Sequence, residues 1–212
     1  RPEQLMTAGL NAMRVLTDPV DTGAVTLCLP QDTQAEAYDY PISFFEKRIW
    51  HLDRRSLHER PLRNAIELLR NSKRPLIIAG GGVHYSLATE TLRNFAKTFQ
   101  IPVCETQAGK SAMSWKDEMS VGGVGVTGTA AANLLAKDAD LILAVGSRLQ
   151  DFTTSSKQAF AENAKILHLN VSTFDGNKMD GTALQADAKS GLEALSSGLE
   201  KIAYKTSADY AN

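Results

Sequence analysis

PLIIAGGG, residues 75–82, and LILAVGSR, residues 141–148, are the two stretches on which the reading of the fold turns. Each is a continuous apolar run that stops at glycine. Neither alternates apolar with polar, as a strand wet on one face does, so both are expected to be buried on both faces. Working outward, Leu62, Ile66 and Leu69 form a helical stripe, and Asn71-Ser72 close it before Pro75. After the first run, Ala88, Leu92, Phe95, Ala96 and Phe99 share one helical face, and Ile101 to Thr106 is a second strand. A loop over 107–120 leads to a short strand near Val121, and Thr127 to Ala139 is an alanine-rich helix that delivers the chain to the second run. Beyond it the pattern predicts a helix over Ser155 to Glu162, a strand over Lys165 to Val171 and a short strand at Leu184 to Ala186. A last amphipathic helix is marked by Leu192, Leu195, Leu199 and Ile202. Strands that alternate with helices make parallel βαβ units with right-handed crossovers. The expected fold is therefore α/β, a Rossmann-like doubly wound parallel sheet of about six strands.

The preceding residues differ in character. Glu3 to Leu16 is helix-like, Asp18-Pro19 is a turn, and GAVTLCLP at 23–30 reads as a buried strand. One helix and one strand cannot enclose a core, so residues 1–41 are expected to pack on something else. Residues 42–60 are charged and aromatic without periodicity and read as a linker anchored by Trp50. The chain opens on Arg1-Pro2 within a helix-like stretch, which suggests an excised piece of a longer protein.

Bulk properties narrow the classes. The 212 residues are 43% hydrophobic and 22% charged, with 23 Lys+Arg against 24 Asp+Glu, a net charge of −1. Such a balance gives no bulk electrostatic reason to bind nucleic acid or an anionic membrane. No apolar stretch is long enough for a membrane span and no secretory leader is recognisable, so a cytoplasmic location is expected. Cys28 and Cys104 both lie in apolar runs and read as buried core thiols, and no zinc spacing or Cys-x-x-Cys pair exists.

In a doubly wound sheet, ligands sit outside the carboxyl ends of the strands. Those ends carry Gly80-Gly81-Gly82, Thr106 to Lys110, Gly122 to Thr129, Gly146-Ser147-Arg148 and Asn170-Val171-Ser172. Two readings stand side by side: the glycines admit a dinucleotide or phosphate, or they only make tight turns. No G-x-G-x-x-G is present at the triple glycine. Arg148 is the best single polar candidate, since a guanidinium suits phosphate, although a surface ion pair would place an arginine there equally well. His84 and His168 read as structural histidines, and Asp175-Gly176 and Asp180-Gly181 as turns. No Ser/His/Asp set, carboxylate pair or metal-ligand spacing is visible, so catalysis is not legible here.

The order of the pieces carries a resemblance. GAVTLCLPQDTQAEAYDYP (23–41) is similar to the end of the pyrimidine-binding domain of thiamine-diphosphate-dependent enzymes. KRPLIIAGGGV (73–83), FQIPVCETQAGKSA (99–112), GVGVTGTAAANLLAKDADLILAVGSRL (123–149), FAENAKILHLNV (160–171) and ADAKSGLEAL (186–195) follow as in middle domains of the acetohydroxyacid synthase-like branch. The resemblance implies a division into the tail of the pyrimidine domain (1–41), a linker (42–60), a middle domain (61–204) and the start of a further linker (205–212). It implies partners in the missing pyrimidine and diphosphate domains of the same chain, and a homo-oligomer at full length.

The same resemblance implies thiamine diphosphate and magnesium in the full-length enzyme, whose ylide would attack a carbonyl of a cyclic dione and lead to C–C cleavage. The family's activating glutamate is expected upstream of Arg1 and its Gly-Asp-Gly motif beyond Asn212, so no thiamine, magnesium or catalytic residue carries over. Middle domains of the synthase type bind FAD, and the residues matching those positions are Gly81, Gly82, Thr106, Gly125, Gly146, Arg148 and Asp187. Two departures weigh against FAD. Asn170 and Ser172 replace the usual acidic residues, and no second arginine follows Arg148. A synthase or carboligase middle domain is the alternative within the branch, and a non-catalytic nucleotide-binding or structural module the alternative outside it.

Overall fold

A computed structural model describes residues 1–207 and Tyr210. The remaining positions of the expected terminal linker at 205–212 lie outside the described residues. The chain forms two compact units, one of residues 1–54 and one from Arg55 onward.

The first unit holds helix α1 (Gln4–Leu16), a short helix α2 (Gln31–Gln34) and a 3-10 turn at Ile42–Phe44. Asp18 closes the turn after α1, its Oδ1 accepting from the backbone N–H of Val20 and Asp21 at 2.7 and 2.6 Å. Tyr38, Tyr40, Phe44 and Phe45 stack edge and face, and the Tyr40 hydroxyl donates to the Pro2 carbonyl at 2.8 Å. The expected strand over 23–30 does not form. Leu27, Cys28 and Leu29 are exposed and Val25 only partly covered. A strand exists by pairing its N–H and C=O groups with a neighbour, and this unit supplies no second strand among the described residues. Cys28 is accordingly not a core thiol.

The second unit follows the expected alternation. It runs α3 (Glu59–Asn71), β1 (Pro75–Ala79), α4 (Gly82–Tyr85), α5 (Thr89–Phe99), β2 (Val103–Glu105), β3 (Ser120–Gly123) and α6 (Ala130–Asp138). There follow β4 (Leu141–Val145), α7 (Asp151–Thr154), β5 (Lys165–Asn170), α8 (Thr173–Gly176), β6 (Thr182–Gln185) and α9 (Ala188–Lys201). Helix α3 begins inside the stretch read as a linker. Arg55 already belongs to this unit, its carbonyl accepting from Asp187 N at 2.9 Å and Ser190 Oγ at 2.7 Å.

The six strands are all parallel in the order β3-β2-β1-β4-β5-β6, a doubly wound α/β sheet. The unbroken apolar runs are explained by covering on both faces. Ile77, Leu143, Val145, Leu167 and Leu169 meet α3, α5 and α9 through residues such as Leu69, Phe95, Phe99 and Leu195. Leu76, Ile78, Ile142 and Ala144 point the other way, against Ala132 and Ala136 of α6 and Phe160. Cys104 lies in this second layer, as expected. Burial pushes its thiol up to about 12, with the Glu105 carboxylate adding to the effect.

Two local readings need correction. The helix expected over Ser155 to Glu162 is replaced by the single turn of α7, because Ser155, Ser156 and Lys157 all take positive φ (46°, 54° and 69°). Three successive left-handed residues end a helix before it can propagate. At the far end, Ile202 stands past α9 as its C-cap, 41% exposed, so the buried stripe stops at Leu199.

Candidate functional site

The strand order sends the chain in opposite directions from β1 and from β4, so the switch point lies between their carboxyl ends. The loops leaving those two strands are Gly80-Gly81-Gly82 and Gly146-Ser147-Arg148. They lie directly against each other. Gly80 N–H donates to Val145 O at 2.8 Å and Gly82 N–H to Gly146 O at 2.9 Å. Gly146 has φ +59°, and a Cβ built on it would stand 2.5 Å from the Gly82 Cα; one on Gly82 would stand 2.6 Å from the Gly146 Cα. The absent side chains at Gly82 and Gly146 are therefore what lets the two turns touch.

Gly125, φ +100°, is met by the backbone of Phe152 and Thr153, and the next residue, Val126, donates its N–H to Phe152 O at 2.9 Å. The loops after β3 and β4 are thus tied together. Gly81 is the least crowded of the four, with Ala108 Cβ and O each 3.3 Å from a Cβ placed there.

The polar members of the expected set divide sharply. Thr106 is buried, and its hydroxyl accepts from Gly109 N at 3.0 Å, closing the turn after β2. Asp187 is also buried. It caps α9 by accepting from Lys189 N (3.0 Å) and Ser190 N (3.3 Å), and its Oδ2 accepts from Ser86 Oγ at 2.7 Å. Arg148 is exposed, and its guanidinium makes no ion pair or hydrogen bond to any described residue. The structure brings Gly82, Gly146 and Arg148 together on two adjoining loops and ties Gly125 to the residues that follow Arg148. Thr106 and Asp187 are turned to internal tasks.

Sequence reading missed the residues that hold these loops. Asn170 at the end of β5 donates its side-chain N–H to Ser147 O at 3.0 Å, and its Oδ1 accepts from Ser172 N at 3.0 Å. Lys178 donates from Nζ to the Arg148 carbonyl at 3.1 Å while pairing with Asp175 Oδ1 at 2.7 Å. At β2, the buried carboxylate of Glu105 accepts from Met113 N at 2.7 Å and fixes the long loop that follows. Only Asn170 carried a signal, standing where the resemblance to synthase-type middle domains implies acidic residues. Lys178 and Glu105 carried none: Lys178 reaches Arg148 across 30 positions, and the bond of Glu105 to Met113 forms within an irregular loop that no periodicity marks. Each of these two histidines meets a backbone carbonyl: His84 Nε2 lies 3.0 Å from Lys110 O and His168 Nε2 3.0 Å from Lys178 O. Asp175-Gly176 and Asp180-Gly181, read as turns, fall in or beside α8 and a 3-10 segment at Lys178–Asp180.

Among the described residues no cluster of His, Cys, Asp and Glu could hold a metal ion, and no helix is long and apolar enough to cross a membrane.

A six-stranded parallel sheet with glycine turns at its switch point defines a doubly wound α/β architecture, and comparison with known proteins narrows the class. Residues 62–195 match the central domain of thiamine pyrophosphate enzymes, and the chain belongs to that family. It is similar to 3D-(3,5/4)-trihydroxycyclohexane-1,2-dione hydrolases: 52% identical over 211 residues to that of Clostridium tetani, 99% of this chain and 32% of the relative. For the hydrolase of Geobacillus thermodenitrificans the identity is 54% over 199 residues, 94% of this chain and 31% of the relative. The chain thus spans about a third of the length of these relatives. Among solved structures, a candidate thiamin diphosphate-dependent enzyme from Mycobacterium smegmatis aligns with a TM-score of 0.75 and 20% identity. That alignment covers 99% of this chain and 39% of that one, and at this identity it speaks to the fold.

Proposed function

We propose that this chain is part of a thiamine-diphosphate- and magnesium-dependent hydrolase that opens the ring of 3D-(3,5/4)-trihydroxycyclohexane-1,2-dione by C–C cleavage in myo-inositol breakdown. On this reading residues 1–41 are the end of the pyrimidine-binding domain and residues 61–204 the middle domain, in a cytoplasmic homo-oligomer. The observation that carries it is identity above half, sustained over nearly the whole chain, to relatives bearing that one name. The exposed, unpaired run Ala24 to Leu29 supports it too, since an apolar segment of this kind is stable only against further strands.

Thiamine diphosphate, when bound by the full-length enzyme, would supply the nucleophilic carbon chemistry needed for C–C cleavage. On this reading no acid, base or ligand role in that chemistry is assigned to the described residues. Their part is to hold the middle domain rigid through the Gly82–Gly146 contact and the Asn170 and Lys178 ties.

FAD fits the switch point poorly. Of the seven residues the resemblance implies, Thr106 and Asp187 spend their side chains inside the protein, and Gly82, Gly125 and Gly146 are packed against backbone. Gly81 offers some room, and Arg148 alone offers a free polar group. If an anion binds, it does so beside Arg148, across Gly81-Gly82 and Gly146. The full-length protein, assayed for ring opening of the cyclic dione with thiamine diphosphate and magnesium, tests the reading. Turnover that vanishes with a chelator is the expected result; condensation of 2-oxo acids with no action on the dione would overturn it.

A further inference from the structure

We propose that His168 and the turn over residues 177–181 form an acid-released latch on the Arg148 loop. Such a latch does not depend on which substrate the full-length enzyme takes.

His168 lies at the centre of β5, fully buried, paired in register with Ala144 of β4 and Ala183 of β6. Its ring lies under the 177–181 turn. Nε2 is 3.0 Å from the Lys178 carbonyl, and a Cβ on Gly181 would stand 2.6 Å from His168 Cδ2. A carbonyl only accepts, so Nε2 carries the proton and donates. Nδ1 is then a bare lone pair, buried, and it has no hydrogen-bond partner. The charged groups facing the ring are Asp175 and Lys178, both from the segment that covers it; the register partners from β4 and β6 are alanines.

The turn is held under strain. Met179 and Asp180 both sit at left-handed φ, 56° and 53°, in a protein that uses glycine at neither position. Such a conformation persists only where its surroundings over-determine it. Here they comprise the bond from His168 to Lys178 O and the Lys178 ammonium, which pairs with Asp175 and reaches the Arg148 carbonyl. The turn that rests on His168 therefore also steadies the loop that presents Arg148.

Protonation of Nδ1 would place a donor without a hydrogen-bond partner, and a charge that only Asp175 offsets, inside the protein. Burial holds the imidazole below its usual range, and the Lys178 ammonium works in the same direction; the bond to Lys178 O and the Asp175 carboxylate oppose them. The closed turn thus keeps His168 neutral, whereas an open turn lets water reach the ring and restores an ordinary imidazole near ~6.5. Because the open form takes up the proton more readily, opening becomes easier as pH falls through that value. Between about pH 7.5 and about pH 5.5 the opening equilibrium should rise by up to roughly tenfold by proton linkage.

Native-state hydrogen exchange on the 212-residue chain, corrected for intrinsic rates, reads this directly. The Gly181 amide, which bonds to Lys178 O at 3.1 Å, should lose protection by up to that roughly tenfold factor, while amides of β1 and β4 stay constant. In His168→Gln, whose amide can still donate to Lys178 O but does not titrate, the pH dependence should disappear. A second measurement does not depend on that variant folding. In the unmodified chain, the His168 ring nitrogens and the 177–181 amides should shift with one shared midpoint. Separate midpoints, protection of Gly181 that does not change with pH, or equal loss in His168→Gln would each overturn the latch.

Discussion

Replacing Gly146 by alanine tests what the glycines at the switch point are for. A Cβ there incurs two costs. The first is the left-handed φ of +59°, worth about 1 kcal/mol for a residue that is not glycine. The second is overlap with Gly82, whose Cα, C and N would stand 2.5, 2.8 and 3.0 Å away. All three are backbone atoms, so no rotamer change relieves the contact, and overpacking of this kind costs about 1–3 kcal/mol. Together the substitution should destabilise the second unit by roughly 2–4 kcal/mol, or roughly 5–15 °C in Tm for a domain of this size. Gly81→Ala is the matched control in the facing loop. Its nearest neighbours are Ala108 Cβ and O at 3.3 Å, so a few tenths of an ångström of adjustment suffices and the cost should stay under about 1 kcal/mol. Urea denaturation followed by circular dichroism measures both. If the glycines exist to admit a ligand, the two variants should be equally stable in the free protein, and equal midpoints would refute the packing argument. The double variant Gly82→Ala with Gly146→Ala should cost clearly less than the sum of the singles, because both side chains break one contact.

Arg148→Ala should change stability by less than about 0.5 kcal/mol, since the guanidinium is exposed and bonded to no described residue. In a thermal-shift screen of FAD, NAD and ADP, any stabilisation of the unmodified chain should weaken in that variant by about 1.5–3 kcal/mol of binding, the worth of a charged hydrogen bond. Asp187→Ala removes the cap of α9 and leaves the buried Ser86 hydroxyl without its acceptor, at about 1–3 kcal/mol; Asp187→Asn should recover part of the loss, and an unchanged Tm for the alanine variant would contradict the capping role. Calorimetric titration of the 212-residue chain with thiamine diphosphate and magnesium should give no specific heat, because the resemblance places the motifs for both outside these residues. A micromolar Kd would require a site within them.

The sheet was legible because its signal is redundant. Five consecutive apolar residues at Pro75–Ala79, and again at Leu141–Val145, admit one environment, and the stripes of α3, α5 and α9 face the layer those strands leave open. The misreadings fall where a local pattern lacked its partner. The run 23–30 has the composition of a strand, but composition cannot supply the neighbouring N–H and C=O groups that make one. The residues after Ser155 have no glycine to announce the left-handed turns they adopt, so a helix was the natural expectation. Local turn bonds hold that segment: Thr154 Oγ1 accepts from Lys157 N at 3.1 Å, and the Ala159 amide bonds back to Thr154 O at 2.9 Å.

The candidate site shows a different limit. Glycine at a strand end is written identically whether the open space beside it is meant for a ligand or for another turn, and only the distance to the facing backbone tells the two apart. At Gly82 and Gly146 that space is filled by the opposite loop, and at Gly125 by Phe152 and Thr153. The side chains that decide whether an anion could still settle there are those that orient the loop carrying Arg148. Asn170 reaches Ser147 across 23 positions of sequence and Lys178 reaches Arg148 across 30, so no local pattern could have announced either. Asn170 also explains a departure from the family pattern. A carboxylate at this position could accept from Ser172 N but could not donate to the Ser147 carbonyl, whereas the amide does both. The amide at the end of β5 is therefore a neutral clamp on the loop after β4, a task that a carboxylate there could not perform.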